Sequence, residues 1–116
     1  MKVFGIAGAG LMGTDIAHLA AEKGFSVILY DADDIRLRTS YESIRERLSR
    51  YVETQRIARD DMAKTLSKIK IHKNIKDLVN ADIVIETVTE DISVKQAVFR
   101  ELDRICRGGV VLASNT

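Results

Sequence analysis

The sequence predicts an α/β protein with a doubly wound parallel sheet, and three observations lead to this fold class. Short apolar runs that are too short for helices recur at residues 3–7, 26–30 and 81–86, as expected of strands covered on both faces. Stretches with helical spacing of apolar residues separate these runs. A glycine-rich turn joins the first strand directly to the first helix. Strands that alternate with helices pair in parallel.

The glycine-rich turn has the spacing G-x-G-x-x-G. Gly8 permits a tight turn, Gly10 lets the backbone approach a diphosphate, and Gly13 lets the helix lie near the strand. The following helix, residues 12–22, aims its unpaired N–H groups at the phosphates and ends at Gly24. Its apolar positions are Ile16, Leu19 and Ala20.

The second strand, residues 26–30, ends in Asp31, about eighteen residues after Gly13. A carboxylate there accepts hydrogen bonds from an adenosine ribose and would repel a 2′-phosphate, which predicts NAD over NADP. The alternative is a glycine turn beside an ordinary surface aspartate. The order strand, turn, helix, strand and acid favours a Rossmann-type dinucleotide site.

A helical hairpin is predicted next. Residues 33 to about 57 form a long amphipathic helix, and a second helix opens at residues 59–61 with Asp60 or Asp61 as its N-cap. The apolar positions are Ile35, Leu37, Tyr41, Ile44, Leu48, Tyr51 and Val52 in the first helix and Met62, Leu66 and Ile69 after it. The charges Arg45, Glu46, Arg47, Arg50 and Glu53 are interpreted as a solvated face.

The remaining chain is predicted to complete the sheet. Residues 69–72 form a short strand, 74–79 a turn or short helix, and 81–86 a second central strand, so residues 87–91 should line the ligand cleft. Ser93 caps a further helix that ends at residues 108–109, and 110–113 form a last strand. His18 and His72 are interpreted as solvated or hydrogen-bonded side chains rather than catalysts.

Composition narrows the function classes. The 116 residues suit one domain, and a net charge of +1 with interspersed signs excludes a basic nucleic-acid face or a membrane-seeking helix. Cys106 is the sole cysteine, so neither a disulfide nor a cysteine-rich metal site is predicted. The first strand begins at once, which leaves no room for a signal peptide, and the expected compartment is the cytoplasm.

Two further segments carry a family resemblance. Residues 86–91 read Glu-Thr-Val-Thr-Glu-Asp with Lys95 one turn into the next helix, and the chain closes on Ala-Ser-Asn-Thr. With the inserted hairpin, these segments resemble the N-terminal NAD-binding domain of the L-3-hydroxyacyl-CoA dehydrogenase family, which includes bacterial 3-hydroxybutyryl-CoA dehydrogenases. The resemblance extends over essentially all of the chain.

The resemblance implies a set of NAD-binding residues. Residues 8–13 would hold the diphosphate, Asp31 the adenosine ribose, and Glu90, Lys95 and Asn115 the nicotinamide side. Glu90 and Lys95 could instead form an ordinary surface pair. The cofactor-binding residues expected on this basis are Gly8, Gly10, Leu11, Met12, Gly13, Asp31, Glu90, Lys95 and Asn115.

The resemblance also implies what these residues do not include. The family's catalytic serine, histidine, glutamate and asparagine would follow Thr116, as would the helical domain for substrate binding and dimerisation. Residues 1–116 are therefore expected to bind NAD but not to oxidise a hydroxyacyl-CoA. Arg47 and Thr54 stand where some relatives contact CoA with serine and lysine, so no CoA contact is carried over.

Three expectations about partners stay open. The last strand could leave an apolar edge through which two copies pair. The substrate could be a non-CoA hydroxy acid, as in L-gulonate dehydrogenases that share this domain. The chain could also act as a stand-alone NAD-binding module or as one subunit of a split enzyme.

Overall fold

The computed structural model describes residues 2–87, residues 96 and 100, and the backbone of the strand at 111–114. Within this part the strands are β1 (Val3–Ala7), β2 (Ser26–Tyr30), β3 (Ile69–His72), β4 (Ile83–Glu86) and β5 (Val111–Ser114). The helices are α1 (Leu11–Glu22), α2 (Asp34–Glu53) and α3 (Arg59–Ser67), with a short 3-10 helix at Ile75–Asn80. The predicted α/β class and the helical hairpin between the second and third strands are confirmed.

The strands form one parallel sheet in the order β3-β2-β1-β4-β5. The central strand β1 places Gly5 opposite Ile28 of β2 on one side and Val84 of β4 on the other. The chain runs outward from β1 to β3 and then crosses back to β4. The reversal lies between β1 and β4, and ligands of such sheets bind beyond the carboxyl ends of the strands at that point.

Both faces of the sheet are covered by apolar side chains. On one face, buried residues of β1 and β2 pack against α1 and the hairpin; this cluster includes Ile6, Val27, Leu29, Leu37, Ile44 and Leu48. On the other face, Ala7 and Val84 pack against Leu78 of the 3-10 helix. Here a Cβ on Gly5 would lie 2.9 Å from both Leu78 Cδ2 and Ala81 Cβ, so only glycine allows this close packing.

The buried face of α1 differs from the expected one at Leu19, whereas Ala20 is buried and Ile16 packs against the core as expected. Leu19 is 57% exposed, whereas small residues supply the buried face: Gly13, Thr14, Ala17, Ala20 and Ala21, together with His18. The helix lies against both the sheet and α2, so its inner positions need short side chains and the bulky leucine faces solvent. In α2, Ile35 is likewise 76% exposed, and Ser40 is buried instead.

The hairpin is shorter than predicted. Helix α2 ends at Glu53 rather than near residue 57, because Gln55 adopts a left-handed φ of 61°. Asp33 caps its start, with Oδ1 accepting from the amides of Ile35 at 2.9 Å and Arg36 at 3.2 Å. The N-cap predicted for α3 is wrong.

The N-cap of α3 is Ala58, one residue before Arg59. Asp61 lies three residues further on, where its Oδ2 accepts from the Ala58 amide at 3.0 Å. A carboxylate inside the first turn can thus satisfy the cap backbone without being the cap.

The other elements lie close to their predicted places. Strand β4 begins at Ile83 rather than residue 81, and β5 is displaced by one residue from the predicted 110–113. Gln96 and Arg100 are helical and exposed, while the predicted Ser93 cap, Cys106 and the helix end at 108–109 lie outside the described residues. Among the described helices, none has both the length and the apolar character needed to cross a bilayer.

Candidate dinucleotide-binding site

The glycine turn between β1 and α1 depends on two of its glycines for shape. Gly8 adopts a φ of 121°, which side chains rarely tolerate, and its amide donates to the Tyr30 carbonyl at 2.8 Å. A Cβ on Gly13 would overlap the Gly8 carbonyl oxygen and lie 2.8 Å from Thr87 Oγ1. Helix α1 can therefore approach the turn only because residue 13 has no side chain.

Gly10 has a different role, because a Cβ there would meet nothing within 4 Å. It is the N-cap residue of α1 and offers no side-chain cap, and the first turn of the helix contains no acid. The first intrahelical bond runs from the Thr14 amide to the Gly10 carbonyl at 2.9 Å. Open space before the positive end of an uncapped helix suits a diphosphate, so the residues present fit a dinucleotide.

Asp31 lies directly beside this turn. Its Oδ2 accepts from the Ala9 amide at 3.0 Å and its Oδ1 from the Asp33 amide at 2.8 Å. The residue is 8% exposed. Because each carboxylate oxygen has two lone pairs, acceptor capacity remains for ribose hydroxyls.

A groove of about 450 Å³ opens between the turn and the start of α2. Arg36 lies on its wall with Nη1 3.5 Å from Asp31 Oδ2, and the strongly exposed Leu11 and Ile35 flank it. The other lining residues are Ala9, Gly10, Thr14, Asp33, Thr39, Ser40 and Ser43. The groove joins the glycine turn to Arg36, and this arginine lies next to Asp31.

Two threonine hydroxyls donate to the turn, and a serine hydroxyl contacts one of them. Thr87 Oγ1, just after β4, donates to the Gly8 carbonyl at 3.0 Å, which agrees with its predicted place at the cleft. Thr14 Oγ1 donates to the Gly10 carbonyl at 2.7 Å and lies 2.6 Å from Ser40 Oγ of α2. Sequence reasoning missed Thr14 and Ser40.

A signal for Ser40 was present in the sequence. It lies three residues after Leu37 and four before Ile44, on the apolar stripe of α2. A hydroxyl on such a stripe needs a buried partner.

The histidines are not part of the site. His72 Nδ1 lies 2.9 Å from Asp77 Oδ2 at the end of β3, so this histidine is hydrogen-bonded as expected. His18 is buried between α1 and α2, where its Nδ1 lies 3.5 Å from Arg47 Nη1 and its Nε2 lies 3.2 Å from Glu22 Oε2 without hydrogen-bonding geometry. Burial lowers the pKa of His18 and outweighs the opposing charge of Glu22, and Arg47 lowers it further.

Arg47 corrects one interpretation of the charged face of α2. Its Nη2 lies 2.8 Å from Asp15 Oδ1 of α1, and the side chain is only 24% exposed, so it joins two helices instead of facing solvent. Thr54, the other position considered for CoA, donates from Oγ1 to the Arg50 carbonyl at 3.0 Å. A separate cavity of about 530 Å³ at the opposite end of α1 contains none of the predicted site residues.

The parallel sheet, the glycine turn and the acid beside it define a dinucleotide-binding domain of the Rossmann type. The family model of the 3-hydroxyacyl-CoA dehydrogenase NAD-binding domain matches residues 3–116. The chain belongs to this family, and its cofactor is NAD. The predicted resemblance, fold class and cofactor are confirmed.

Relatives with established names agree with the assignment. The chain is 37% identical over 116 residues to 3-hydroxybutyryl-CoA dehydrogenase of Bradyrhizobium diazoefficiens, covering all of this chain and 40% of that protein. The crystal structure of (S)-3-hydroxybutyryl-CoA dehydrogenase from Ralstonia eutropha superposes with a TM-score of 0.95 at 33% identity, covering 100% of this chain and 41% of that one. A diketoreductase that acts on dicarbonyl compounds matches with a TM-score of 0.86 at 26% identity, over 100% of this chain and 42% of that one.

The chain thus spans about 40% of the length of the curated relatives that it matches first. In the described part of the chain, Gly8, Gly10, Leu11, Gly13 and Asp31 lie together around the open space before helix α1, which we call the mouth of the site. Met12 lies in the same first turn of α1. Glu90, Lys95 and Asn115 lie outside the described residues.

Proposed function

We propose that this chain is the NAD-binding part of an enzyme that oxidises an L-3-hydroxyacyl-CoA to the 3-oxoacyl-CoA. The hydrogen bond from the Ala9 amide to Asp31 Oδ2, at 3.0 Å, carries the proposal, because it fixes a ribose-binding acid against a phosphate-binding turn. NAD, when bound, accepts the hydride that leaves the hydroxyl-bearing carbon.

Each part of the mouth has one role in this proposal. The start of α1, at Leu11 and Met12, would face the diphosphate, and Gly10 leaves it room. Asp31 accepts the ribose hydroxyls and rejects a 2′-phosphate by charge repulsion. Glu90, Lys95 and Asn115 would serve the nicotinamide side.

The proposal assigns no catalytic residue to the 116 residues. The serine, histidine, glutamate and asparagine implied by the resemblance would follow Thr116, in a helical domain that binds substrate and dimerises. Residues 1–116 alone should therefore bind NAD without producing NADH from 3-hydroxybutyryl-CoA. Steady NADH formation by the purified chain would contradict this division.

Calorimetric titration tests the binding assignment. NAD should bind, and NADP should bind at least about tenfold more weakly, because a phosphate dianion would approach the Asp31 carboxylate. No heat with either nucleotide would overturn the proposed function. A preference for NADP would overturn the role of Asp31.

A second candidate keeps the domain and changes the substrate. The similarity to a diketoreductase, at 26% identity over the whole chain, favours considering a non-CoA hydroxy acid of the L-gulonate type. A stand-alone NAD module or a split-enzyme subunit forms a third candidate. The codons after Thr116 discriminate: a continuation that begins with serine supports the dehydrogenase, whereas a stop codon supports the module.

The proposed reaction belongs to fatty-acid and butanoate metabolism, and the expected compartment is the cytoplasm.

Strand β5 has β4 as its one neighbour among the described strands, so its other edge could pair with a second copy. Light scattering that shows only monomers at high concentration would exclude this self-association.

A further inference from the structure

Two buried hydroxyls connect the hairpin to the glycine turn in a fixed direction. Thr14 Oγ1 lies 2.7 Å from the Gly10 carbonyl oxygen, which can only accept, so the single Thr14 proton is directed there. Ser40 Oγ lies 2.6 Å from Thr14 Oγ1 and must therefore donate to it. The chain of donors runs from Ser40 through Thr14 to Gly10.

Both hydroxyls are nearly inaccessible to water, with 4% exposure at Thr14 and 3% at Ser40. Water cannot readily replace either partner, so the loss of one leaves the other buried and unsatisfied. The residues lie 26 positions apart, one on α1 and one on α2. Through these two hydroxyls, α2 holds the carbonyl of Gly10, the residue that faces the open mouth of the site.

We propose that Ser40 and Thr14 form a hydroxyl relay that positions the glycine turn for the NAD diphosphate. The inference rests on the proposed function and extends the binding site into the helical hairpin. The Gly10 carbonyl accepts both the Thr14 amide, at 2.9 Å, and the Thr14 hydroxyl, at 2.7 Å. The two bonds fix the plane of the peptide whose N–H belongs to Leu11, at the helix end that receives the phosphates.

The turn needs such support because its own residues are permissive. Glycine at position 10 has more accessible backbone conformations than any other residue. No side chain caps α1, and Gly10 has nothing within 4 Å of its Cβ position to restrain it. On the other side, Thr87 holds the Gly8 carbonyl at 3.0 Å and Asp31 holds the Ala9 amide at 3.0 Å. The relay supplies the corresponding restraint at Gly10.

Three variants test the relay through the NAD dissociation constant of the folded protein. Thr14→Val keeps the shape and removes the hydroxyl, and should weaken NAD about fivefold. Thr14→Ser restores the hydroxyl and should stay within about twofold of the parent. Ser40→Ala should weaken NAD in the same direction as Thr14→Val.

The double variant of Thr14→Val with Ser40→Ala decides whether the hydroxyls act in series. Without the Thr14 hydroxyl, Ser40 has nothing to position, so the double variant should bind NAD no worse than Thr14→Val alone. Losses that simply add would show two independent effects and overturn the relay.

A matched control separates positioning from stability. Thr65 of α3 is also a buried helical threonine, 8% exposed, and does not line the groove at the turn. Thr65→Val should therefore leave the NAD dissociation constant of the folded protein unchanged. If Thr14→Val also leaves the NAD dissociation constant of the folded protein unchanged, the Thr14 hydroxyl is merely structural and the inference fails.

Hydrogen exchange provides a readout of the coupling itself. NAD should slow exchange in the first half of α2 of the parent, since a restrained turn restrains Ser40, and this protection should disappear in Thr14→Val at saturating NAD. Unchanged protection would overturn the inference. A parent that binds no NAD overturns the proposed function, whereas a parent and a Thr14→Val variant with equal affinity overturn only the relay.

Discussion

Asp31 holds the Ala9 amide of the glycine turn: its Oδ2 accepts from this amide at 3.0 Å, and its Oδ1 accepts from the Asp33 amide at 2.8 Å. The acid that is expected to bind the ribose is therefore also part of the framework of the turn. Changes at Asp31 should affect affinity and stability together.

Asp31→Asn retains one acceptor oxygen where two amides now donate. One N–H must face an NH₂ group, which should lower the free energy of unfolding by about 1–3 kcal/mol. NAD affinity should fall about tenfold, and the gap between NAD and NADP should narrow as the repulsive charge disappears. Urea unfolding and calorimetry measure both.

Asp34→Asn is the matched control for Asp31→Asn, since Asp34 pairs with Arg38 at 3.1 Å on a more exposed surface. Asp34→Asn should change neither the free energy of unfolding nor the NAD affinity appreciably, because such exposed ion pairs contribute little. If Asp31→Asn matched this control, the structural role of Asp31 would be refuted.

Gly10→Ala should separate binding from folding. A Cβ at this position meets nothing within 4 Å, and the φ of −76° suits alanine, so the free energy of unfolding should stay equal or rise by about 0.5 kcal/mol. The methyl group occupies space reserved for the diphosphate, and NAD should weaken about tenfold to a hundredfold. Normal NAD binding by a folded Gly10→Ala protein would place the diphosphate elsewhere.

Gly13→Ala should have the opposite profile. Its Cβ would overlap the Gly8 carbonyl oxygen, so α1 must move away from β1, at a cost of about 3 kcal/mol. Thermal unfolding monitored by circular dichroism should show a large loss of stability. A melting temperature equal to that of the parent would mean that the helix does not lie this close to the turn.

His18 should make stability depend on pH. Burial lowers its pKa in the folded state, so the unfolded chain binds the proton more readily. The contribution of His18 to the free energy of unfolding should therefore be fully present above the unfolded-state pKa of 6.5. It should decline as pH falls through the lower pKa of the folded state. Urea midpoints between pH 7 and pH 5, a range set by the ordinary histidine pKa of about 6.5, measure the slope.

The groups that face His18 are Glu22 and Asp15 from its own helix and Arg47 and Tyr51 from α2. His18→Gln cannot gain a proton and should flatten this slope. A parent-like slope in His18→Gln would assign the pH dependence to other groups.

Much of the sheet could be predicted from sequence, because strand, turn and helix signals coincide there. Val3–Ala7, Ser26–Tyr30 and Ile69–His72 lie where the sequence places them. Hydrophobicity alone failed on α1, because the packing distance to the sheet and to α2 favours alanine over the larger Leu19.

Only part of the candidate site could be predicted from the sequence. Glycine spacing and a strand-end acid are local signals, so the turn and Asp31 could be found from sequence. The pairing of Thr14 with Ser40 depends on how α2 crosses α1, and no local pattern encodes that crossing. The residues that hold a site are therefore harder to predict than those that face its ligand.

The contact between Thr87 and the Gly8 carbonyl joins two residues 79 positions apart. A nascent chain leaves the ribosome from its amino end, so Gly8 emerges long before the strand that completes its surroundings. Closing so long a loop is slow compared with forming a helix. The mouth for the coenzyme can therefore mature only after β4 has been synthesised, and NAD can stabilise only chains that have reached that stage.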